Sequence, residues 1–251
     1  MVRALSRGLA VLRTLEAGRP MSLEALNAAT GLAKPTLLRL LATLEAEGYV
    51  RRLLADGLWR CANRSEDSTS SRRERLLMHA KPVLQALCRD VRWPSDVAIC
   101  HEGRMEVIES SRALSPLGFS ELSVGLRVPM TTSGLGRAWL TWSTRSDRAI
   151  ILEKLAGNFA ELEVDQAIRE TRRDGYGRRV RSLVTRDSRR DGDMGIAVPI
   201  GIDDDLLGCI SLVWRSPAMD ERSFVTTHLE RLRTAAHEIA SANMGPVSVP
   251  D

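Results

Sequence analysis

The sequence predicts two domains in tandem: a winged helix-turn-helix module, mainly α, over residues 1–60, and an α+β domain with an antiparallel sheet over residues 80–245. Three observations carry this reading. In residues 1–60 apolar side chains recur at helical spacing in three segments, then alternate briefly around Asp56-Gly57. Residues 61–74, CANRSEDSTSSRRE, are polar, Ser-rich and nearly without large apolar groups, which marks a boundary. From Asp96 onward the apolar period shortens to that of strands.

Taken in order, Leu5, Leu9, Leu12 and Leu15 form the stripe of an amphipathic helix that Gly18 and Pro20 stop. Ser22 is placed to cap a second helix, LEALNAAT, and Gly31 to end it. A third helix follows a tight turn. Pro35 fits its first turn, where a missing N–H costs nothing; Leu37, Leu40, Leu41 and Leu44 face inward, and Gly48 ends it. Residues 49–53 and 58–60 read as strands joined at Asp56-Gly57. Helix, helix, turn, helix, two-stranded wing is the order of a module whose third helix enters the major groove of double-stranded DNA.

Charge agrees with that placement. Residues 1–60 hold nine Lys or Arg against five Asp or Glu, while residues 61–251 hold 27 of each, so the net charge of +4 lies in the first quarter of the chain. The expected DNA contacts are Lys34, Pro35, Thr36, Leu38 and Arg39 on the third helix, Arg51, Arg52 and Arg60 around the wing, and Arg7 on the first helix. Leu38 suits a thymine methyl group, and helix N-termini offer N–H groups to phosphates. The same pattern also suits a ligand-binding adaptor whose three helices contact protein.

Residues 61–79 read as a partly helical linker, with a helix from near Arg75 that Pro82 interrupts or kinks. Behind it, VAIC and MEVIES read as strands joined at residues 102–104, TTSGLGRAWLTW as a helix capped by Thr131 or Thr132, and residues 146–155 and 161–174 as two more helices. MGIAVPIG and LLGCISLVW read as strands across Asp203-Asp204, residues 220–243 as a closing helix, and residues 246–251 as a tail. A curved sheet of this kind leaves room for a small ligand. The expected ligand contacts are Arg112 and Arg127 as partners of an anion, Met130, Thr132, Ser133 and Gly134 around the start of a helix, and Cys209 and Ser211 two apart on one strand face. Eight arginines fall between Arg172 and Arg190, as a solvated loop or an acidic-partner contact.

Several classes find no support. The four histidines make no HExxH and no His/Cys cluster, so no metal or cofactor is expected. No nucleophile, base and orienter can be assembled, with His101 the one histidine near the sheet, so no enzyme is expected. Arg3, Arg7 and Arg13 break any secretion core and no segment reaches a membrane span, so the expected setting is the cytoplasm, with four free thiols and no membrane partner.

The segments SRGLAVLRTLEAG, LEALNAATGLAKPTLLRLLATLEAEGYVRR, VGLRVPMTTSGLGRAWL, DGYGRR and GIAVPIGIDDDLLGCISLVW, in this order, resemble the IclR family of bacterial regulators over nearly the whole chain. WPSDV at Trp93 to Val97, with Trp139 and Trp214, is most similar to the branch containing the activator of 3-(3-hydroxyphenyl)propionate catabolism genes. The resemblance implies a homodimer or homotetramer on a palindromic operator, contact with RNA polymerase, and a GAF-like second domain that binds a small, often aromatic, carboxylic acid to control a catabolic operon. It implies an effector pocket beside Thr132, Ser133, Gly134, Gly136, Arg137 and Ala138, where Ser replaces the family's Ala and Arg its Lys, and along Cys209 and Ser211. Where the family carries acidic residues after Gly-Tyr, this chain is basic, which places Arg179 or Arg181 at the pocket edge.

Overall fold

The computed structural model describes residues 2–16, 20–62, 68–119, 123–154, 161–180, 193–202 and 205–243. They form two compact units, Met1–Glu74 and Arg75–Asp251.

In the first unit α1 (Arg3–Glu16), α2 (Leu23–Thr30) and α3 (Lys34–Ala46) precede an antiparallel pair, β1 (Val50–Arg52) and β2 (Trp59–Cys61). Ser22 caps α2 by accepting from the Ala25 N–H, and Gly31 ends it at φ 67°, a conformation that favours glycine. Val11, Leu15, Leu26, Leu37, Leu41, Val50 and Trp59 share one buried core. Trp59 also exchanges two backbone hydrogen bonds with Met21, tying the wing to the loop between α1 and α2. The α1 stripe departs from expectation. Its buried face is Gly8, Val11 and Leu15, whereas Leu5 and Leu9 are 61% and 44% exposed. The face of α1 that meets α3 is the one carrying Gly8, beside Leu40, so the contact face is rotated off the leucine row.

In the second unit an antiparallel sheet runs in the order β5-β4-β3-β8-β7-β6. Its strands are β3 (Ser95–His101), β4 (Arg104–Ser110), β5 (Arg127–Val128), β6 (Gly177–Arg178), β7 (Asp193–Ile202) and β8 (Asp205–Arg215). Glu102 and Gly103, both at positive φ, turn β3 into β4. The turn at Asp203-Asp204 lies outside the described residues, as do residues 181–192 and the tail. The linker helix α4 (Ser68–Val91) begins inside the segment read as boundary and continues through Pro82 rather than stopping there. Two short segments, α5 (Gly134–Trp142) and α6 (Arg145–Lys154), precede α7 (Glu161–Asp174), and α8 (Glu221–Asn243) closes the chain. Alternation divides the sheet. Ala98, Met105, Val107, Ala197 and Cys209 pack beneath Leu135, Ala138 and Trp139 of α5, while α8 packs on β7 and β8, where Trp214 stacks on Phe224 at 3.9 Å.

Two glycines set the position of α5. A Cβ on Gly177 would lie 2.2 Å from the Gly134 carbonyl oxygen, and one on Gly136 would lie 2.4 Å from the Met130 Cα. Only bare backbone permits both approaches. Around this contact an ion network ties α5, α7 and β6 together: Glu170 accepts from the buried Arg137 at 2.5 Å and from Arg178 at 3.3 Å. Hydrogen bonds from Gln166 and Arg137 lower the Glu170 carboxyl from an ordinary 4.5 to about 2.

A carboxylate lowered on folding contributes stability above its unfolded value, and that contribution is lost as pH falls toward the folded one. Urea midpoints of the wild type should therefore fall as pH drops from about 4.5 to about 2, and Glu170→Gln should flatten this part of the profile.

Candidate nucleic-acid interface and ligand cluster

The exposed side of α3 carries Lys34, Pro35, Leu38, Arg39 and Thr43, with Thr36 half-buried beside them. Leu37 and Leu41 are fully buried on the opposite side. Pro35 occupies the first turn, and Ala33 at the cap position makes no side-chain bond to the helix. The leading N–H groups of α3 are thus left for an outside acceptor, in contrast to α2 with its serine cap. Arg39 and Arg7 are exposed and have no ion-pair partner among the described residues. Lys34 is bonded to Glu24 at 2.9 Å, with both side chains about half exposed or more (49% and 68%). Its hydrogen bond is the main reason the Glu24 carboxyl sits below its ordinary value. A pair this exposed is held weakly and can be exchanged for a phosphate.

The wing arginines, all three expected as DNA contacts, separate into two kinds by their partners. Arg51 turns inward and pairs with Glu74 of α4, with side-chain exposures of 16% and 18%. Arg60 pairs with Asp56 four residues back, so its charge serves the hairpin. Arg52 alone is exposed: its Nε donates to the Gly57 carbonyl at 2.7 Å and its guanidinium lies 6.0 Å from the Trp59 ring.

In the second unit several of the expected ligand residues are engaged within the fold by their neighbours among the described residues. Met130 and Cys209 are core, 1% and 0% exposed, and burial raises the Cys209 thiol well above its ordinary value. Ser133, rather than Thr131 or Thr132, caps α5. It accepts from the Gly136 N–H and donates to the Pro129 carbonyl, so its hydroxyl is already engaged. Gly134 lies against the Gly177 and Gly195 carbonyls. The Thr132 carbonyl accepts from the Val180 N–H. Arg127 stands beside Glu106 on the sheet face away from Met105 and Val107, 2.9 Å from Glu102, and is not near the core face. Arg179 bonds through its backbone to Gly195, and Arg181 lies outside the described residues.

What the structure does assemble is a buried cluster around Arg112. Its Nη2 donates to Asp96 at 3.2 Å and its Nη1 to Asp193 at 3.5 Å. Ser110 and Ser123 donate to the same Asp96 carboxylate at 2.6 and 3.0 Å, and the Ser211 hydroxyl donates to the Asp96 backbone carbonyl. Arg112 and Ser211 are therefore brought together, though Arg112 is spent on internal carboxylates rather than offered as an unpaired cation. The two acidic charges raise the Arg112 guanidinium above its ordinary value, against the opposing effect of burial. Asp96, Asp193 and Phe119 were missed from sequence. The one signal for Asp96 was a charged residue inside an otherwise apolar strand, WPSDVAIC.

Among the described residues no helix is long and apolar enough to cross a membrane, and no group of three His, Cys, Asp or Glu could hold a metal ion.

Residues 4–54 match the IclR helix-turn-helix domain and residues 69–241 match the C-terminal part of the bacterial transcriptional regulator IclR. The chain is 25% identical over 186 residues to the acetate operon repressor of Salmonella typhimurium, covering 70% of this chain and 68% of that one. A transcriptional regulator of Rhodococcus sp. has the same fold at 24% identity and a TM-score of 0.56, over 96% of this chain and 98% of its own. An IclR homologue of Microbacterium hydrocarbonoxydans, solved in complex with 4-hydroxybenzoate, is 20% identical with a TM-score of 0.51, over 96% and 99% of the two chains.

The two kinds of wing arginine should separate in duplex-DNA binding. Arg52→Ala should lower the slope of log affinity against log salt by about one unit. Arg51→Ala should leave that slope unchanged and instead lower the urea midpoint, because it removes a sheltered ion pair with Glu74.

Proposed function

The chain belongs to the IclR family of bacterial transcriptional regulators, and we propose that it controls a catabolic operon by reading a palindromic operator with α3 under the command of a small, aromatic carboxylic acid. Family membership favours this over the adaptor alternative, since IclR-family members are DNA-binding transcription factors and not enzymes.

The observation that carries the reading is the rotation of α3. Leu37 and Leu41 are locked into the core, which leaves Lys34, Pro35, Thr36, Leu38 and Arg39 to the outside over an uncapped helix start. Thr36 and Leu38 suit base edges and the thymine methyl group, Arg39 a guanine or a phosphate. Arg52 and Arg7 supply backbone contacts. Arg51 and Arg60 act indirectly, by holding the wing in place. Two copies on one face of the duplex place their reading helices about 34 Å apart, as a homodimer or within a homotetramer that can meet RNA polymerase.

The GAF-like sensor role of the second domain rests on the Arg112 cluster with Ser211, and on the frame that Met130, Thr132, Ser133, Gly134 and Cys209 make at the start of α5. Arg127 stands outside this frame. The Microbacterium homologue's 4-hydroxybenzoate supports an aromatic acid as effector, and the WPSDV segment supports the hydroxyphenylpropionate branch. A differential affinity of about 1 to 3 kcal/mol between two states is enough for a switch.

One experiment tests both halves. Genome-wide selection recovers the operator, and affinities are then measured on operator and scrambled duplexes with and without aromatic acids, 4-hydroxybenzoate among them. Arg39→Ala should cost about 1 to 3 kcal/mol on operator and little on scrambled DNA if it reads a base. Equal affinity of the wild type for both duplexes would overturn operator reading.

A further inference from the structure

Beside the last turns of α4 lies a groove that neither the reading helix nor the Arg112 cluster uses. Its volume is about 460 Å³, within the range of small-molecule sites. One wall is α4 and its end, with Gln85, Cys88, Arg89 and Arg92. The other is Leu114, which closes the short turn Arg112–Leu114, and Pro116. The two walls are tied together. The Ser115 hydroxyl donates to the Arg92 carbonyl at 2.8 Å, and the Cys88 thiol donates weakly to the Ser111 carbonyl at 3.9 Å. The groove is thus formed before anything enters it.

Its chemistry is one-sided. Arg89 and Arg92 are exposed, and their guanidinium groups have no carboxylate partner among the described residues. Among the described residues no acidic side chain lines the groove. Asp90, next in the chain to Arg89, is taken by Arg231 at 2.7 Å. Cations near a helix end answer its partial negative charge, but that charge is about half a unit and two full ones are present. Across from them Leu114 is 47% exposed. The conformation of Arg92 points the same way. It follows α4 at φ 65°, a left-handed position where helices ordinarily place glycine because a side chain costs energy there. An arginine stands at this place against that cost, and its side chain lines the groove.

We propose that this groove binds a small organic dicarboxylate, with its two carboxylates on Arg89 and Arg92 and its apolar body against Leu114 and Pro116. The site is separate from the Arg112 cluster and from the frame at the start of α5, so it does not rest on the sensor reading above. Each guanidinium can hold a carboxylate through two parallel N–H groups, and Gln85 sets an amide beside them. A monocarboxylate leaves one cation unanswered. A cationic ligand faces two like charges. An inorganic anion gains nothing from the apolar wall. The helix that carries the arginines begins in the first unit and ends in the second, so a ligand here is held by the element that joins them.

Calorimetric titration of the full chain with phthalate, benzoate and dimethyl phthalate tests the groove. Phthalate should bind, benzoate on the order of tenfold more weakly, and the uncharged diester not at all. Arg89→Gln and Arg92→Gln should each weaken phthalate on the order of tenfold, and Leu114→Ser several-fold. Arg92→Gly should weaken phthalate as Arg92→Gln does while raising the urea midpoint, because glycine relieves the left-handed backbone. Phthalate binding that survives Arg89→Gln and Arg92→Gln combined places the acid elsewhere and overturns the proposal. Equal affinity for phthalate and its diester overturns it too, as does a wild type that binds no phthalate. In that last case, self-association that falls on Leu114→Ser would give the groove to a second copy of the chain. Failure here leaves the sensor reading standing, since that is judged by 4-hydroxybenzoate on operator affinity.

Discussion

Everything the first unit can do depends on the burial of Leu37 and Leu41 against Val11, Leu15, Leu26 and Trp59. Burying a leucine side chain contributes about 1.5 to 3 kcal/mol, so two of them fix the rotation of α3 far more firmly than any surface contact. The Lys34–Glu24 bond on the outer side, exposed at both ends, is worth a fraction of that. The apolar contacts therefore decide which residues face out, and the polar ones are free to be exchanged for DNA. The uncapped start at Ala33 fits the same division of labour: a donor group needed by an outside partner is not satisfied from within.

Charge serves two different ends in this protein, and burial tells them apart. Arg51, Arg60, Arg112 and Arg137 each bind a carboxylate of their own chain and are largely sheltered. Breaking such a pair by removing one partner strands the other charge in a poor medium, so these residues hold structure. Arg7, Arg39 and Arg52 are exposed, and their guanidinium groups have no carboxylate partner among the described residues. Net charge, which is all the sequence reports, does not distinguish these groups. The Arg112 cluster stands between them: sheltered, paired, and still short of one acceptor among the described residues.

Local chemistry explains what was legible from sequence. Ser22 and Gly31 bound α2, Pro35 sits in the first turn of α3, and the Glu102-Gly103 turn joins two strands, because each depends on a few neighbouring residues. The two-domain fold follows from such local signals together with the apolar periods. What could not be read depends on distant partners. The Arg51–Glu74 and Arg112–Asp193 pairs span 23 and 81 residues, a separation no spacing rule covers. The α1 stripe failed for the same reason, since the buried face is the one that meets α3 beside Gly8. The close approach of the Gly134 and Gly177 backbones joins residues 43 apart, and no local spacing signals it.

The claim on which the functional account stands is that the outward side of α3 lies in the major groove of the operator. A photo-crosslinking amino acid placed at Leu38, which is 46% exposed, tests it directly. The account predicts crosslinks at one or two adjacent bases in each operator half-site, protected from reaction by no competitor except operator DNA. Operator binding that persists with no crosslink from this position, while a probe elsewhere in the chain reacts with the bases, would contradict it.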